Sequence, residues 1–398
     1  MINPVTKERE LAYVVKIDGI EPIVGSDNCE AALVGGWKVM VRKGTFQPGD
    51  LAIYFEIDSK VDTNKPEFAF LEKKHGAIKT QKYTFGGKNP GFYSQGLLMA
   101  ASDFGWDSLT EGAFLTKELG VIYYVPEDNG RKGKGPDKYA RMAQRMGKKF
   151  SKQPYRWLMQ RDWGKKLLFV FFGRKKDKRS WPAWVVKTDE ERVQNMAWVL
   201  EDKSKWYATE KIDGTSTTFT MRGFGRKRDF YICSCNVCFD TPEKMANGAW
   251  YDSNVYQEMA IKYDIENVLA EILDVNKNNL DFVTLQGETY GAGIQKRDYG
   301  MKDHDFMAFN LIFGYKDGHT VRFNPEEMTK YLSKYHVPCV PIVDKEFVLP
   351  DTVDELLAIA TGPSAVDGGM REGLVFRSVD GVRSFKAVSN EFLVKYHQ

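Results

Sequence analysis

At 398 residues, with 42% hydrophobic and 28% charged positions, the chain is too long for one ordinary core and too apolar to be disordered, so two domains with connecting material are expected. No apolar run approaches the roughly 20 residues of a membrane helix; the longest, LLFVFF at 167–172, has the length of a strand. The net charge is only +3, but residues 131–179 hold about 18 Lys or Arg against three Asp, which leaves the rest of the chain acidic.

In chain order, the polar opening MINPVTKERE has no signal-peptide core. Residues 9–105 then read as a small β domain, with LAYVVKI, WKVMVRK, LAIYFEI and GLLMAAS as short strands punctuated by glycines. An OB-like barrel is the candidate, and such barrels bind nucleic acid. Residues 106–185 form a basic linker or insertion, in which DKYARMAQRMGKKF is expected to be helical and GRKKDKRSWP an exposed turn. The charge there suits a phosphate-rich partner, and Tyr155, Trp157 and Trp163 supply rings that bases could stack on. From 186 to 398 the chain is α+β. WYATEKI, STTFTMR, DFYICSC, FVTLQGETY, FMAFNLIFG, EGLVFRS and RSFKAVS read as strands, and YQEMAIKYDIENVLAEIL and EEMTKYLSKY as helices.

Five cysteines fit a reducing, intracellular setting, in the cytoplasm of the cell or of a host if the source is a virus. Three of them fall in CSCNVC, Cys233, Cys235 and Cys238. They read as strand cysteines, since a structural zinc site needs a second pair of ligands and the nearest histidine, His304, is far along the chain.

The chemistry centres on EKIDGTS. Lys211 and Asp213 share one face of a strand, about 7 Å apart along the chain. Neutralising a free lysine near pH 7.4 costs about 4 kcal/mol, so a nucleophilic lysine needs help, and a hydrated cation beside it can disfavour the ammonium form. Gly214 permits a tight turn and a close approach of phosphate. The pattern KxDG is weak by itself: it also occurs as Lys16, Asp18 and Gly19 in the β domain. Only Lys211 is followed by QGETYG (Glu288), DFMAFNL (Phe306, Phe309), REGLVFR (Glu372, Val375) and SFKAVS (Lys386) at spacings that fit one domain.

That ordered series resembles the motifs of the covalent nucleotidyltransferase superfamily, which contains ATP-dependent DNA ligases, RNA ligases and capping guanylyltransferases. It is most similar to RNA ligase 2-like enzymes, in the branch with an OB module ahead of the catalytic domain. KTDEERVQN, GWKVMV, GDLAIYFEIDS and SQGLL share the likeness, which covers about residues 9–105 and 185–398 and leaves out most of the basic middle. The resemblance implies an N-terminal OB-like barrel followed by a nucleotidyltransferase domain of antiparallel sheets and helices. It implies an ATP-dependent RNA ligase using Mg²⁺ (Mn²⁺ can substitute) on RNA ends or a nicked duplex, with no membrane involved.

Residue by residue, it implies that Lys211 attacks the ATP α-phosphorus and that Lys386 touches the α-phosphate. Arg192 steadies the outgoing pyrophosphate, Glu210 and Glu288 contact the nucleoside, and Phe309 and Val375 stack on adenine. Asp213, Glu288 and Glu372 serve the metal. Phe306, three residues from Phe309, belongs to the opposite strand face unless the strand bulges. One position departs from the family, which often carries Ser-Arg-Asn where this chain has Ser234, Cys235 and Asn236; a thiol cannot replace a guanidinium. Two rivals share the scaffold: a guanylyltransferase, against which the front position of the OB module argues, and a non-catalytic RNA-binding protein.

Overall fold

Short apolar runs near the N-terminus build antiparallel strands in the computed structural model, which describes residues 1–3, 6, 8–85, 91–124, 152–172, 178–179, 181–235, 237–239 and 255–397. The helix expected at 137–150, most of the turn expected at 173–182, and Asn236 lie outside the described residues. Two compact units emerge. One comprises Met1–Pro126, Asp189–Ile212 and Pro341–Gln398, the other Glu127–Thr188 and Asp213–Val340. The segment expected as one adenylation domain, 186–398, therefore contributes to both.

In the first unit, strands Ala12–Lys16, Leu51–Phe55 and Leu97–Met99 make one sheet, and Gly19–Pro22, Cys29–Val34 and Trp37–Arg42 another. Tyr13 enters a core with Trp37, Val39 and Tyr54, while Ala12 and Val14 enter a second with Ile53, Phe55 and Phe68. Burial on both faces explains why LAYVV is a continuous apolar run and not an alternating one. Val388 and Leu393, from the far end of the chain, complete the Tyr13 core. The second KxDG is an ordinary strand end: Asp18 accepts the backbone N–H of Gly35.

The same unit holds a four-stranded antiparallel sheet in the order Ile342–Val348, Lys205–Lys211, Gly373–Ser378, Ser384–Val388. One face buries Trp206, Ala208, Leu374, Phe376, Phe385 and Ala387 against Leu356, Leu357 and Ala360 of the helix Val353–Ala360. That helix starts on a capping box in which Thr352 and Glu355 bind each other's backbone N–H.

The second unit is a seven-stranded antiparallel sheet in the order Lys178–Arg179, Cys238–Phe239, Asp229–Cys233, Thr215–Arg222, Leu280–Gly291, His304–Tyr315, Thr320–Arg322. Helices Val255–Lys262, Ile265–Val275 and Pro325–Ser333 pack their apolar stripes on it through Met259, Leu269, Ile272, Met328 and Leu332. The single helix expected at 256–273 is two, because Asp264 takes φ = 50°, a left-handed conformation that aspartate tolerates better than most residues.

The strand-sized run at 167–172 is instead the end of a helix, Asp162–Phe172. Asp162 favours the helix N-terminus, and Leu168 is buried while its neighbour Leu167 is exposed. Among the described residues no helix is long and apolar enough to cross a membrane. The cysteines behave as strand residues: Cys233 and Cys238 are buried opposite each other on adjacent strands, and Cys235 is exposed.

Candidate active site

Register alone brings part of the predicted set together. Lys211 lies opposite Gly373, Thr209 opposite Val375, and Val375 opposite Lys386. Cross-strand partners and alternate residues point to one face, so Lys211, Val375 and Lys386 project from the same side of the four-stranded sheet. Glu372, the residue before Gly373, meets the Lys211 amine: Nζ donates to Oε2 at 2.7 Å, with Glu372 largely buried and Lys211 about a quarter exposed.

Arg192 enters from a neighbouring segment. It bridges in parallel to Lys386, and the Lys386 N–H donates to the carbonyl of Glu191 at 2.7 Å. The segment 189–192 thus runs along the free edge of the sheet and carries the charged side chains of Asp189 and Arg192 to it. Asp189 accepts from Lys386 Nζ at 3.0 Å and from Arg9 Nε at 3.1 Å. Arg192 Nη2 donates to Asp58 of the barrel at 2.9 Å. Its Nη1 is buried with no hydrogen-bond partner among the described residues.

Electrostatics follow from this crowding of cations. Burial pushes the Lys386 ammonium below its usual range; Asp189 opposes that shift, and Arg9, Arg192 and Lys211 add to it. Burial acts to raise the Asp189 carboxyl, but Lys386 and Arg9 outweigh it and hold Asp189 well below the ordinary carboxylate range. Arg192, Lys386, Lys211 and Arg9 make a cluster whose chemistry suits a polyphosphate: several cations close together, one of them with an unmade hydrogen bond.

Glu210 is not part of that face. It alternates with Lys211 and points with Ala208 and Leu374 toward the core side, where its carboxylate accepts the Ser364 hydroxyl and the Ala365 N–H. These two bonds fix the loop that leads to Glu372.

Asp213, Glu288 and Phe309 lie in the second unit, which the chain enters after Ile212. Asp213 is buried, and its N–H donates to Tyr299 Oη at 2.7 Å. The turn at Gly214 lies against the neighbouring strand, where a Cβ would come within 2.3 Å of the Thr289 carbonyl oxygen and 2.9 Å of Glu288 Cγ. Close approach, more than backbone freedom, demands glycine here. Glu288 pairs with Ser216 on one side and Met307 on the other. The register slips at Phe309, between the pairs Gln286–Asn310 and Gly287–Ala308. Alternation from the buried Phe306 and Ala308 leaves Phe309 on the other face, half-buried, and the bulge then returns Leu311 to the core; Phe306 is fully buried against Phe219. Phe306 is thus a core residue despite the bulge.

Spacing did not reveal Arg9, Asp58 or Asp189. Asp189 and Arg192 do share KTDEERVQN, but their partners are separated from them by more than a hundred residues.

The family model for RNA ligase matches residues 204–397, and one for an OB-fold domain matches residues 11–99. A solved RNA ligase of Naegleria gruberi with PPi superposes over 98% of this chain and 99% of its own, at 25% identity and a TM-score of 0.71. Residues 204–397 belong to the RNA ligase family. Mutants of the Naegleria ligase solved with ATP and Mn, and with AMP and Mn, match over the same 98% of the chain at 25% identity, with TM-scores of 0.70 and 0.69. No curated protein matches the chain. The ligase thus combines an N-terminal OB fold with an α+β catalytic region, and the strand that carries Lys211 lies inside the RNA ligase match.

Proposed function

We propose that the ligase seals 5′-phosphate and 3′-hydroxyl ends with ATP and a divalent cation, using Lys211 as the nucleotide carrier. The observation that carries the residue assignment is the cationic face of the four-stranded sheet: Lys211 paired with buried Glu372, in register with Val375 and Lys386, with Arg192 beside them. The unmade hydrogen bond at Arg192 Nη1 fits a phosphate ligand, because a buried guanidinium nitrogen with no acceptor is costly.

In the first step the Lys211 amine attacks the α-phosphorus. A P–N bond forms, the P–O bond to the β-phosphate breaks, and pyrophosphate leaves with both bonding electrons. Lys386 stabilises charge growing on the α-phosphate, and Arg192, held by Asp58, steadies the leaving group. The resemblance implies that Asp213, Glu288 and Glu372 would hold a hydrated Mg²⁺ or Mn²⁺, and carboxylates are the donors a hard cation prefers. Such a cation would neutralise phosphate charge and disfavour the Lys211 ammonium. Phe309 and Val375 offer apolar surface to the adenine, and Glu288 a ribose contact. AMP then moves from Lys211 to the 5′-phosphate oxygen of an RNA end. The 3′-hydroxyl displaces AMP, and a phosphodiester forms. Functionally the chain divides into an OB module at 1–105, a basic connector at 106–185 and an adenylation domain at 186–398.

Incubation with α-labelled ATP and Mg²⁺ is expected to label the protein, and Lys211→Ala to abolish the label; a label that survives this substitution overturns the assignment. Labelling by GTP in place of ATP would mark a guanylyltransferase. Nicked duplexes with RNA or DNA on either side of the break define the substrate.

A further inference from the structure

Between the two family matches, at residues 152–172, the chain builds a feature that neither match covers. Helices Tyr155–Met159 and Asp162–Phe172 meet at Gly164, where a Cβ would lie 2.3 Å from the Leu158 carbonyl oxygen. This close crossing sets Trp157 and Trp163 side by side, ring centroids 5.7 Å apart and planes at 81°. The Arg161 guanidinium lies 3.8 Å from the centre of the Trp157 ring, and its Nη1 donates to the Trp157 carbonyl oxygen. Yet the two indoles are 42% and 55% exposed. Leaving two such rings in water forgoes a large burial gain, so their ordered exposure calls for an occupant.

Charge identifies its class. Lys152, Arg156 and Lys166 are exposed on the same two helices and their approach, within a segment that carries about 18 basic residues and only three acidic ones. A polyanion with aromatic faces is a nucleic acid. The right-angled rings narrow this further: one plane can floor a base while the other walls off the next stacking position. A continuous duplex hides its base faces, so the corner fits a base outside a helical stack.

We propose that Trp157, Trp163 and Arg161 form a stacking platform for an unpaired nucleotide of the RNA strand, with Lys152, Arg156 and Lys166 on its phosphates. The identity of the strand rests on the ligase reading; the platform itself does not.

The test uses the full chain carrying Lys211→Ala, which blocks turnover, and measures fluorescence anisotropy with a 5′-phosphorylated single-stranded RNA and with a blunt duplex. The double change Trp157→Ala and Trp163→Ala is expected to weaken single-strand binding about tenfold or more and duplex binding no more than about twofold. The double change to Phe is expected to retain most of the affinity. Replacing Lys152, Arg156 and Lys166 by Ala is expected to lower the salt slope of single-strand binding by about two. With Lys211 restored, the Trp-to-Ala variant should seal poorly relative to its own lysyl-AMP formation. Unchanged single-strand affinity overturns the platform, as does equal loss on duplex and single strand. A large drop in melting temperature without loss of affinity assigns the indoles to packing and also overturns it. Absence of lysyl-AMP in the unsubstituted chain would instead sink the ligase reading, and anisotropy would still judge the platform.

Discussion

Asn195 ties several partners together: its Oδ1 accepts from Trp37 Nε1 at 2.6 Å, and its Nδ2 donates to Glu56 and Glu191 at 2.9 Å each, while the Tyr13 hydroxyl, 3.2 Å from Oδ1, donates at 2.9 Å to Glu56. Both amide hydrogens are used, across contacts that join the barrel to the segment carrying Arg192. Asn195→Ala should therefore cost about 2–4 kcal/mol, since it strands several partly buried partners at once, and the denaturant midpoint will measure it. Asp189 yields a pH signature. Its carboxyl ionises below the ordinary range in the folded chain, so an unfolded chain binds the proton first as pH falls. Its contribution is fully present above about pH 4 and is lost below that. Urea unfolding across pH should show Asp189→Asn less stable than the parent at neutral pH, with the gap closing in acid. A gap independent of pH would mean that the ion pair adds nothing.

At the scale of elements, the site depends on where strands pair and where they fail to. The antiparallel register that sets Thr209 against Val375 also sets Val375 against Lys386, so a one-residue slip would send Lys386 into the core. The bulge at Phe309 performs the opposite service, breaking alternation so that Leu311 re-enters the core after the Phe309 ring has faced away from it. Gly214 lets its strand start against Thr289 without a side chain between them. Gly214→Ala forces a Cβ onto a backbone oxygen, and a loss of at least about 2 kcal/mol is expected in thermal or urea unfolding, together with a fall in lysyl-AMP yield. The strands around Lys211 were legible because their apolar alternation is local. The helix Asp162–Phe172 was not, because six consecutive apolar residues carry no period and only its capping acid and its packing decide the outcome. The face of Glu210 follows from strand alternation: adjacency to Lys211 in sequence puts its side chain on the opposite side of the sheet.

Within the first unit, the barrel and the catalytic sheet are joined by charge as well as by apolar packing. Asp58 holds Arg192, Arg9 holds Asp189 and through it Lys386, and Val388 and Leu393 sit in the barrel core. On the proposed assignment of Lys386 and Arg192, the barrel positions the adenylation residues. Asp58→Gly tests this cleanly, because Asp58 sits at φ = 66°, which glycine keeps while the carboxylate is lost. Lysyl-AMP formation should fall about tenfold, the effect of loosening one charge-assisted contact. Formation at the parental rate would show that Arg192 needs no help from the barrel.

Amino-acid order by itself determined the adenylation motifs, the β character of the front module and the basic middle, because each is written in residue type and short-range spacing. Tertiary structure alone decided which acid meets Lys211 and that Arg9 and Asp58 stand behind Lys386 and Arg192. Those contacts join residues more than a hundred positions apart, and their geometry comes from strand register and core packing, neither of which any local pattern encodes.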